Sequence, residues 1–301
     1  MQQPLLDCLV VGGGPAGLTA AIYLSRFHLD ILVVDAGDSR AALIPKTRNH
    51  AGYPEGIAGP DLLARMAKQA ELYGTRIERA AVETLERDAD DFVAGWNGQQ
   101  VRARTVLLAT GVVNHRPAMD DATHDEALRS GLLRYCPICD GYEVTDRKVA
   151  VIGTGERGFN EAIFLRGYTA DLTLIAPDGA HDLGQDQRAK LAEAGVAIVD
   201  GPARAIRIDG DRIAVGAHAF DSIYPAMGSD IRSELVRGLG ADMTEDGCLS
   251  VDDHQRTNVD GLYAAGDVVK GLDQISHAMG EGGVAATTIR NDLAKRVTLY
   301  R

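Results

Sequence analysis

The chain has 301 residues, 45% of them hydrophobic and 25% charged, with a formal net charge of −12. This length predicts two domains with ample apolar content for their cores. The acidic balance and the lack of a Lys/Arg run argue against nucleic acid or an anionic membrane as the main partner. Four cysteines in a chain this long do not make a disulfide scaffold. There is no long apolar stretch and no charged-then-apolar leader. "MQQPLLDCLVVGGG" runs straight into a strand, which predicts a cytoplasmic protein.

From Leu6 the order is apolar strand, glycine cluster, helix: "LDCLVVGGGPAGLTAAIYLSRFHLDILVVDAG". Gly12, Gly14 and Gly17 form G-x-G-x-x-G. The first glycine permits the tight turn, the second lets phosphate approach the backbone, and the third lets helix and strand pack closely. The helix points its free N–H groups at a pyrophosphate. A second strand, "DILVVD", ends in Asp35, near the roughly twenty-residue spacing at which a carboxylate meets a ribose 2′-hydroxyl. Further on, "LERDADDFVAGWNGQQVRARTVLLATG" reads as a small meander with "NG" as a hairpin turn, and its last strand ends in Thr110 and Gly111.

Just before the midpoint stands "GLLRYCPICDGYEV", with Cys136 and Cys139 two residues apart and Asp140 behind them. A metal site would need two more ligands. Cys8 and Cys248 are not in a second C-x-x-C, and His115 and His124 show no zinc-knuckle spacing, so no metal is expected. The pair could also be buried and inert. A redox pair needs less: two intervening residues allow a small disulfide ring, and Pro137 restricts its conformations. Asp140 could serve as proton donor or acceptor for the thiols, or simply as the turn residue of "DG".

A second fingerprint follows in "KVAVIGTGERGFNEAIFLRGYTADLTLIAPDG", where Gly153, Gly155 and Gly158 repeat the spacing after a strand at Val149–Ile152. It is the poorer copy. Arg157 is bulky beside the phosphate position, Pro177 sits at the next turn, and Asp178 comes late for a 2′-hydroxyl. This fold could have lost nucleotide binding. The chain closes with "TNVDGLYAAGDVVKGLDQISHAMGEGGVAATTIR": a strand at Gly261–Ala265, then Gly266 and Asp267, then a helix at Met279–Ile289. The small residues of that helix suit close approach to a backbone or ligand.

Together these motifs resemble the low-molecular-weight thioredoxin reductases and their relatives among the two-dinucleotide-binding flavoproteins. The likeness covers nearly the whole chain and rests on "VVGGGPAGLTAA", "LLATG", "CPICDG", "VIGTGERG" and "GLYAAGDV" in that order. It implies an α/β fold of two Rossmann-like domains, with a discontinuous FAD domain at 1–117 and 247–301. A nicotinamide-type domain at 118–246 would be inserted there and would carry the C-x-x-C. The repeated fingerprint supports the same division independently.

The resemblance also implies roles. Gly12, Gly14, Pro15, Ala16, Gly17 and Asp35 would hold the ADP half of FAD, with Thr110, Gly111 and Gly266 in the same cofactor site. Asn49 would lie near the flavin, Asp267 at the ribityl or pyrophosphate, and Gln274 with Ile275 at the pyrimidine end of the ring. Gly153, Gly155 and Gly158 would face NADPH or NADH. Cys139 would exchange electrons with the flavin, and Cys136 would meet the outside disulfide or dithiol. One pair cannot touch a buried flavin and a bulky protein at once, so the inserted domain would rotate, about hinges near Pro117–Asp121 and Asp246–Ser250.

Two departures bear on the electron source. The family's usual His-Arg-Arg run, which grips the NADPH phosphate, is replaced by "IAPDG", and its Gly-Gly-Gln-Leu stretch by "DAGDSRAALIPKTRNH". The "DAGDSR" form is more similar to the branch that includes dithiol oxidases, which pass electrons to oxygen. The expected function is therefore an FAD-dependent thiol–disulfide oxidoreductase acting on a thioredoxin-like protein or a small-molecule disulfide, as a homodimer. The alternatives are an oxygen-using dithiol oxidase, a ferredoxin-linked reductase and a flavin-bound redox sensor. His50 and His277 could lie beside the flavin as bases, or be ordinary polar residues. Cys8 and Cys248 read as packing or surface residues.

Overall fold

The computed structural model describes residues 5–299. Its first sheet begins with β1 (Leu5–Val11), followed by α1 (Pro15–Arg26) and β2 (Ile31–Asp35). Both strands are buried almost throughout, as expected for central parallel strands covered on both faces. α2 (Gly59–Glu71) leads to β3 (Arg76–Arg79), and β4 (Thr84–Asp88), β5 (Asp91–Trp96) and β6 (Gln99–Leu108) form the meander. Asn97 and Gly98 join β5 to β6, both with positive φ (48° and 75°), the left-handed pair that an Asn-Gly hairpin turn requires.

The seven-stranded sheet runs β3-β2-β1-β6-β5-β4, and β16 (Leu262–Ala264) pairs in parallel with the end of β6. A strand from the last fifth of the chain thus completes the sheet begun at residue 5. α8 (Ile275–Arg296) then packs on α1. A Cβ on Gly282 of α8 would stand 2.3 Å from the Ala16 carbonyl oxygen, which is the close approach its small residues allow. α8 starts and ends beyond the 279–289 span read from sequence. Gln274 is its extended N-cap (φ −136°), and its last two turns carry polar residues on the outer face.

Between these parts lie β7 (Val112–Asn114), α3 (Asp121–Arg129), the short α4 (Pro137–Asp140), β8 (Val149–Gly153), α5 (Gly155–Leu165), β9 (Leu172–Ile175), α6 (Gln185–Glu193) and β10 (Ala197–Val199). β11 (Ile206–Asp209), β12 (Arg212–Val215) and β13 (His218–Phe220) make an antiparallel meander. β14 (Ser222–Ala226) returns to complete a parallel sheet of order β10-β9-β8-β14. Apolar clusters lie around this sheet: one joins it to α3 and the meander, the other to α5 and α6. β15 (Ser229–Ile231) pairs antiparallel with β7, so the outgoing and returning chains form one two-stranded ribbon. α7 (Glu234–Arg237) and the segment to Leu249 pack into the core of the first sheet.

Candidate active site: a nucleotide cradle facing a disulfide

The first glycine turn is built by steric necessity. Gly12 has φ +108°, and a Cβ there would lie 2.3 Å from the Ala109 carbonyl oxygen. A Cβ on Gly17 would lie 2.0 Å from the Gly12 carbonyl oxygen, so α1 can reach the sheet only without it. Gly14 is the N-cap of α1, with Pro15 at its first position where no N–H is needed. Asp35 closes the turn by accepting from the Gly13 N–H at 3.0 Å, and it also pairs with Arg79 at 3.1 Å.

This turn opens on a cavity of about 910 Å³, whose wall includes Gly12, Gly14, Pro15, Ala16, Asp35, Asn49, Thr110, Gly111, Gly266, Asp267, Gln274 and Ile275. Cys136, Cys139 and Asp140 line the same cavity from the inserted segment. Gly17 packs beneath the cradle, while Gly153, Gly155 and Gly158 stand apart from it. The volume lies at the upper end for small-molecule sites and suits a dinucleotide. The glycine backbone at one end, the helix N-terminus and the Asp35 carboxylate are the groups an ADP moiety needs. These residues fit FAD.

Cys136 and Cys139 are joined as a disulfide with Cα atoms 5.2 Å apart. Cys136 is the N-cap of α4, and Pro137 occupies the first helical position, so the pair sits on one tight turn. From the other side Gln274 Nε2 reaches both sulfurs, at 3.2 Å and 3.3 Å. Asn49 Nδ2 donates to the Ile138 carbonyl oxygen at 3.3 Å, and Arg48 pairs with Glu143 at 3.2 Å.

Asp140 lies behind the disulfide. Its Oδ1 accepts from the Tyr224 hydroxyl and its Oδ2 from Arg134 Nη1, both at 2.9 Å. Burial raises its pKa, and the Arg134 charge only partly opposes this. Glu161 on α5 is pushed up to about 7, by its own burial and by the charge of Asp140. Asp140 thus shares the cavity wall with the sulfurs, and Glu161 lies near enough to Asp140 for their charges to oppose one another. Arg134 and Tyr224 escaped the sequence reading: Tyr224 sits in an ordinary buried strand, and no local pattern ties it to Asp140.

At the turn after β16, Gly266 has φ +81° and its N–H donates to Glu281 at 2.7 Å. Asp267 pairs with Arg40 at 3.2 Å, and Arg40 also holds Asp273 at 2.7 Å. Burial first, then the Asp273 charge, pushes Asp267 up to about 6. Arg40 and Glu281 were not anticipated as site residues; "DSR" offered a signal, since the family's usual residues are missing there. His277 pairs with Glu281 at 3.0 Å, and His50 stacks on Tyr53; neither lines the cavity. Cys8 is fully buried and its thiol is pushed up to about 12, while Cys248 is half-buried. Among the described residues no group of three His, Cys, Asp or Glu is placed to hold a metal.

The second glycine turn differs. Gly153 and Gly158 lie against each other, with a Cβ on Gly158 reaching to 2.6 Å of the Gly153 carbonyl carbon, so they serve the contact between α5 and β8. The loop after β9 folds back to this turn, and the Asp182 N–H donates to Thr154 Oγ1 at 2.8 Å. Arg157 lies over Gly228, whose Cβ would stand 1.8 Å from its Nη1.

A nucleotide cradle whose far wall is a C-x-x-C disulfide defines a flavin-type disulfide oxidoreductase. The description "Pyridine nucleotide-disulphide oxidoreductase" matches residues 6–282, and the chain belongs to that family. It is 31% identical to a thioredoxin reductase of Mycolicibacterium smegmatis over 98% of this chain and 99% of that one. It is 30% identical to one of Listeria monocytogenes over 94% and 92%. A solved thioredoxin reductase of Streptococcus pyogenes superposes with a TM-score of 0.87 at 25% identity, covering 98% of this chain and 100% of that one. The protein is an FAD-dependent thiol–disulfide oxidoreductase that resembles thioredoxin reductase.

Proposed function

We propose that the protein reduces the disulfide of a thioredoxin-like protein by exchange at Cys136 and Cys139, with reduced nicotinamide as the electron source. The observation that carries this reading is the disulfide in the wall of the dinucleotide cavity. Bound FAD would supply two-electron transfer between nicotinamide and sulfur. Gly12, Gly14, Pro15, Ala16 and Gly17 would seat its ADP half and Asp35 its ribose. Thr110, Gly111, Gly266 and Asp267 would border the central part, with Asn49, Gln274 and Ile275 at the ring. Gly153, Gly155 and Gly158 would receive the nicotinamide nucleotide.

In the exchange, the Cys136 thiolate attacks the substrate disulfide and expels one substrate thiol. Cys139 then attacks the mixed disulfide, closing the Cys136–Cys139 bond and releasing the second. Asp140, held by Tyr224 and Arg134, passes protons from the pair to the departing sulfurs; its raised proton affinity suits that task.

Residues 1–117 and 247–301 form the FAD unit in this reading, and 118–246 the inserted unit. The sheet position of β16 supports the discontinuity. The packing of α7 on the first sheet favours an earlier return crossing than 246–247, at the β7–β15 ribbon, which would give residues 232–246 to the FAD unit. Rotation about that ribbon would bring Cys136 to a protein partner. A homodimer in the cytoplasm completes the reading. None of the described helices is long and apolar enough to cross a membrane.

A second reading, a dithiol oxidase or a reductase with another electron donor, draws support from the second glycine turn. Asp182 bonds at its mouth, and no cation follows β9 until Arg188, which is turned to the His181 and Leu183 carbonyls. Anaerobic mixing with NADPH and with NADH separates the two. Bleaching of the flavin by either supports the reductase. No bleaching at millimolar nicotinamide, together with bleaching by a dithiol, overturns it in favour of the oxidase.

A further inference from the structure

Gln274 comes from the chain's last segment, just ahead of α8, yet its side chain reaches the disulfide of the inserted segment. Its Nε2 lies 3.2 Å from Cys136 Sγ, 3.3 Å from Cys139 Sγ and 2.9 Å from the Asp273 carbonyl oxygen. Two N–H groups are thus shared between one carbonyl and a pair of sulfurs.

The amide's orientation is set by its other partners, with its Oε1 standing farther from Cys139 Sγ, at 3.7 Å, than its Nε2. Its Oε1 accepts from Asn49 Nδ2 at 2.9 Å. Asn49 is oriented in turn, because its Nδ2 also meets the Ile138 carbonyl oxygen at 3.3 Å and its Oδ1 accepts from the Thr47 hydroxyl at 3.0 Å. Reversing Gln274 would set its N–H groups against those of Asn49, and its oxygen against the Asp273 carbonyl and the sulfur lone pairs. A one-way chain of donors therefore runs Thr47, Asn49, Gln274, sulfur.

A neutral disulfide sulfur is a weak acceptor, whereas a thiolate is a strong one, and bonds to charged partners are the stronger kind. Three polar side chains aimed in series at a disulfide match the charge that appears when it opens.

We propose that Gln274 is a catalytic residue of the disulfide chemistry: its Nε2–H stabilises the sulfur anion formed when the Cys136–Cys139 bond opens, and Asn49 and Thr47 position it. This deepens the function proposed above and rests on its redox reading of the pair. The step balances simply. Two electrons, which the family's flavin chemistry supplies, break the S–S bond and leave two sulfur anions. One proton makes one of them a thiol, and the other remains a thiolate on the Gln274 N–H. The donor favours the open pair over the closed one, because only the open pair carries charge. Other charges near the pair are Asp140 with Arg134 on one side and Glu161 of α5, whose charge opposes that of Asp140, the Arg48–Glu143 ion pair at the rim, and Asp273 with Arg40 beyond Gln274. The substitutions below leave all of them in place.

The test uses the FAD-loaded full chain, reduced with dithiothreitol, freed of excess reductant, and alkylated with iodoacetamide across a range of pH. Mass spectrometry reads each cysteine separately. Gln274→Leu is expected to raise the lower apparent pKa of the pair by about one unit, a tenfold loss of thiolate, or about 1.4 kcal/mol. Gln274→Glu, nearly isosteric and negatively charged, is expected to raise it further. Should the leucine variant fail to fold, the glutamate variant and Asn49→Asp, which removes the donor to Oε1, carry the test. Identical alkylation profiles in wild type and variants would overturn the assignment. Wild-type turnover of an aromatic disulfide, compared with Cys139→Ser, separates the two levels. Cysteine-dependent turnover with unchanged profiles sinks the role of Gln274 alone, and turnover that survives the loss of Cys139 sinks the redox reading with it.

Discussion

The two glycine turns share a spacing and part company in what lies over them. At the first, Gly12 and Gly17 bring α1 onto the sheet, and the turn opens on the cavity of about 910 Å³ that the disulfide also lines. At the second, Gly153 and Gly158 make the same helix–strand contact, but the loop carrying Asp178 and Asp182 folds over the mouth and bonds to Thr154. The comparison teaches that G-x-G-x-x-G specifies a packing geometry. Whether a ligand enters is decided by the segments that cover or leave open the helix N-terminus, and these lie outside the fingerprint.

The comparison can be broken most sharply at the wall the two turns do not share. Cys139→Ser is expected to keep the flavin and lose disulfide turnover by about a thousandfold or more, since among the described residues no other sulfur lines the cavity beside Cys136. Flavin absorbance and steady-state reduction of an aromatic disulfide check it, and full activity would disprove the site.

A smaller effect comes from the glycines themselves. Gly17→Ala and Gly158→Ala each press a methyl group into backbone, at 2.0 Å and 2.6 Å. Each is expected to cost about 1–3 kcal/mol of stability. The glycine in the first turn should also shed FAD, while the one in the second should leave flavin content unchanged. Thermal melts with flavin absorbance in parallel read both, and equal flavin loss from the two variants would erase the distinction.

The smallest effect concerns charge at the first cradle. Burial, and after it the Asp273 charge, pushes Asp267 up to about 6 in the fold, above the ordinary carboxylate range, because both disfavour its anion. A carboxyl with a raised folded pKa contributes stability in its neutral form. That contribution is full below the unfolded value and is lost as pH climbs through about 6. Asp267→Asn should therefore raise the Tm of the FAD-free protein by a few degrees at pH 7 and leave it unchanged near pH 4. Equal shifts at both pH values would show that the carboxylate is not under that strain.

Much of this protein was legible in the sequence because its determinants are local. Apolar runs of strand length, glycines at the spacing that lets a helix meet a strand, and Asn97–Gly98 in a left-handed turn each fix a structure over a few neighbouring residues. The C-x-x-C-D-G was visible for the same reason: sulfur chemistry at that spacing needs only one tight turn. Tertiary structure alone brought Tyr224 and Arg134 to Asp140, tied Arg40 to Asp267 and Asp273, and set Gln274 against sulfurs more than a hundred residues earlier in the chain. Those contacts depend on how two sheets and a crossing ribbon place distant segments, and burial then decides which charges are strained and which donors find a partner. No pattern along the chain encodes that, because the forces involved act across space.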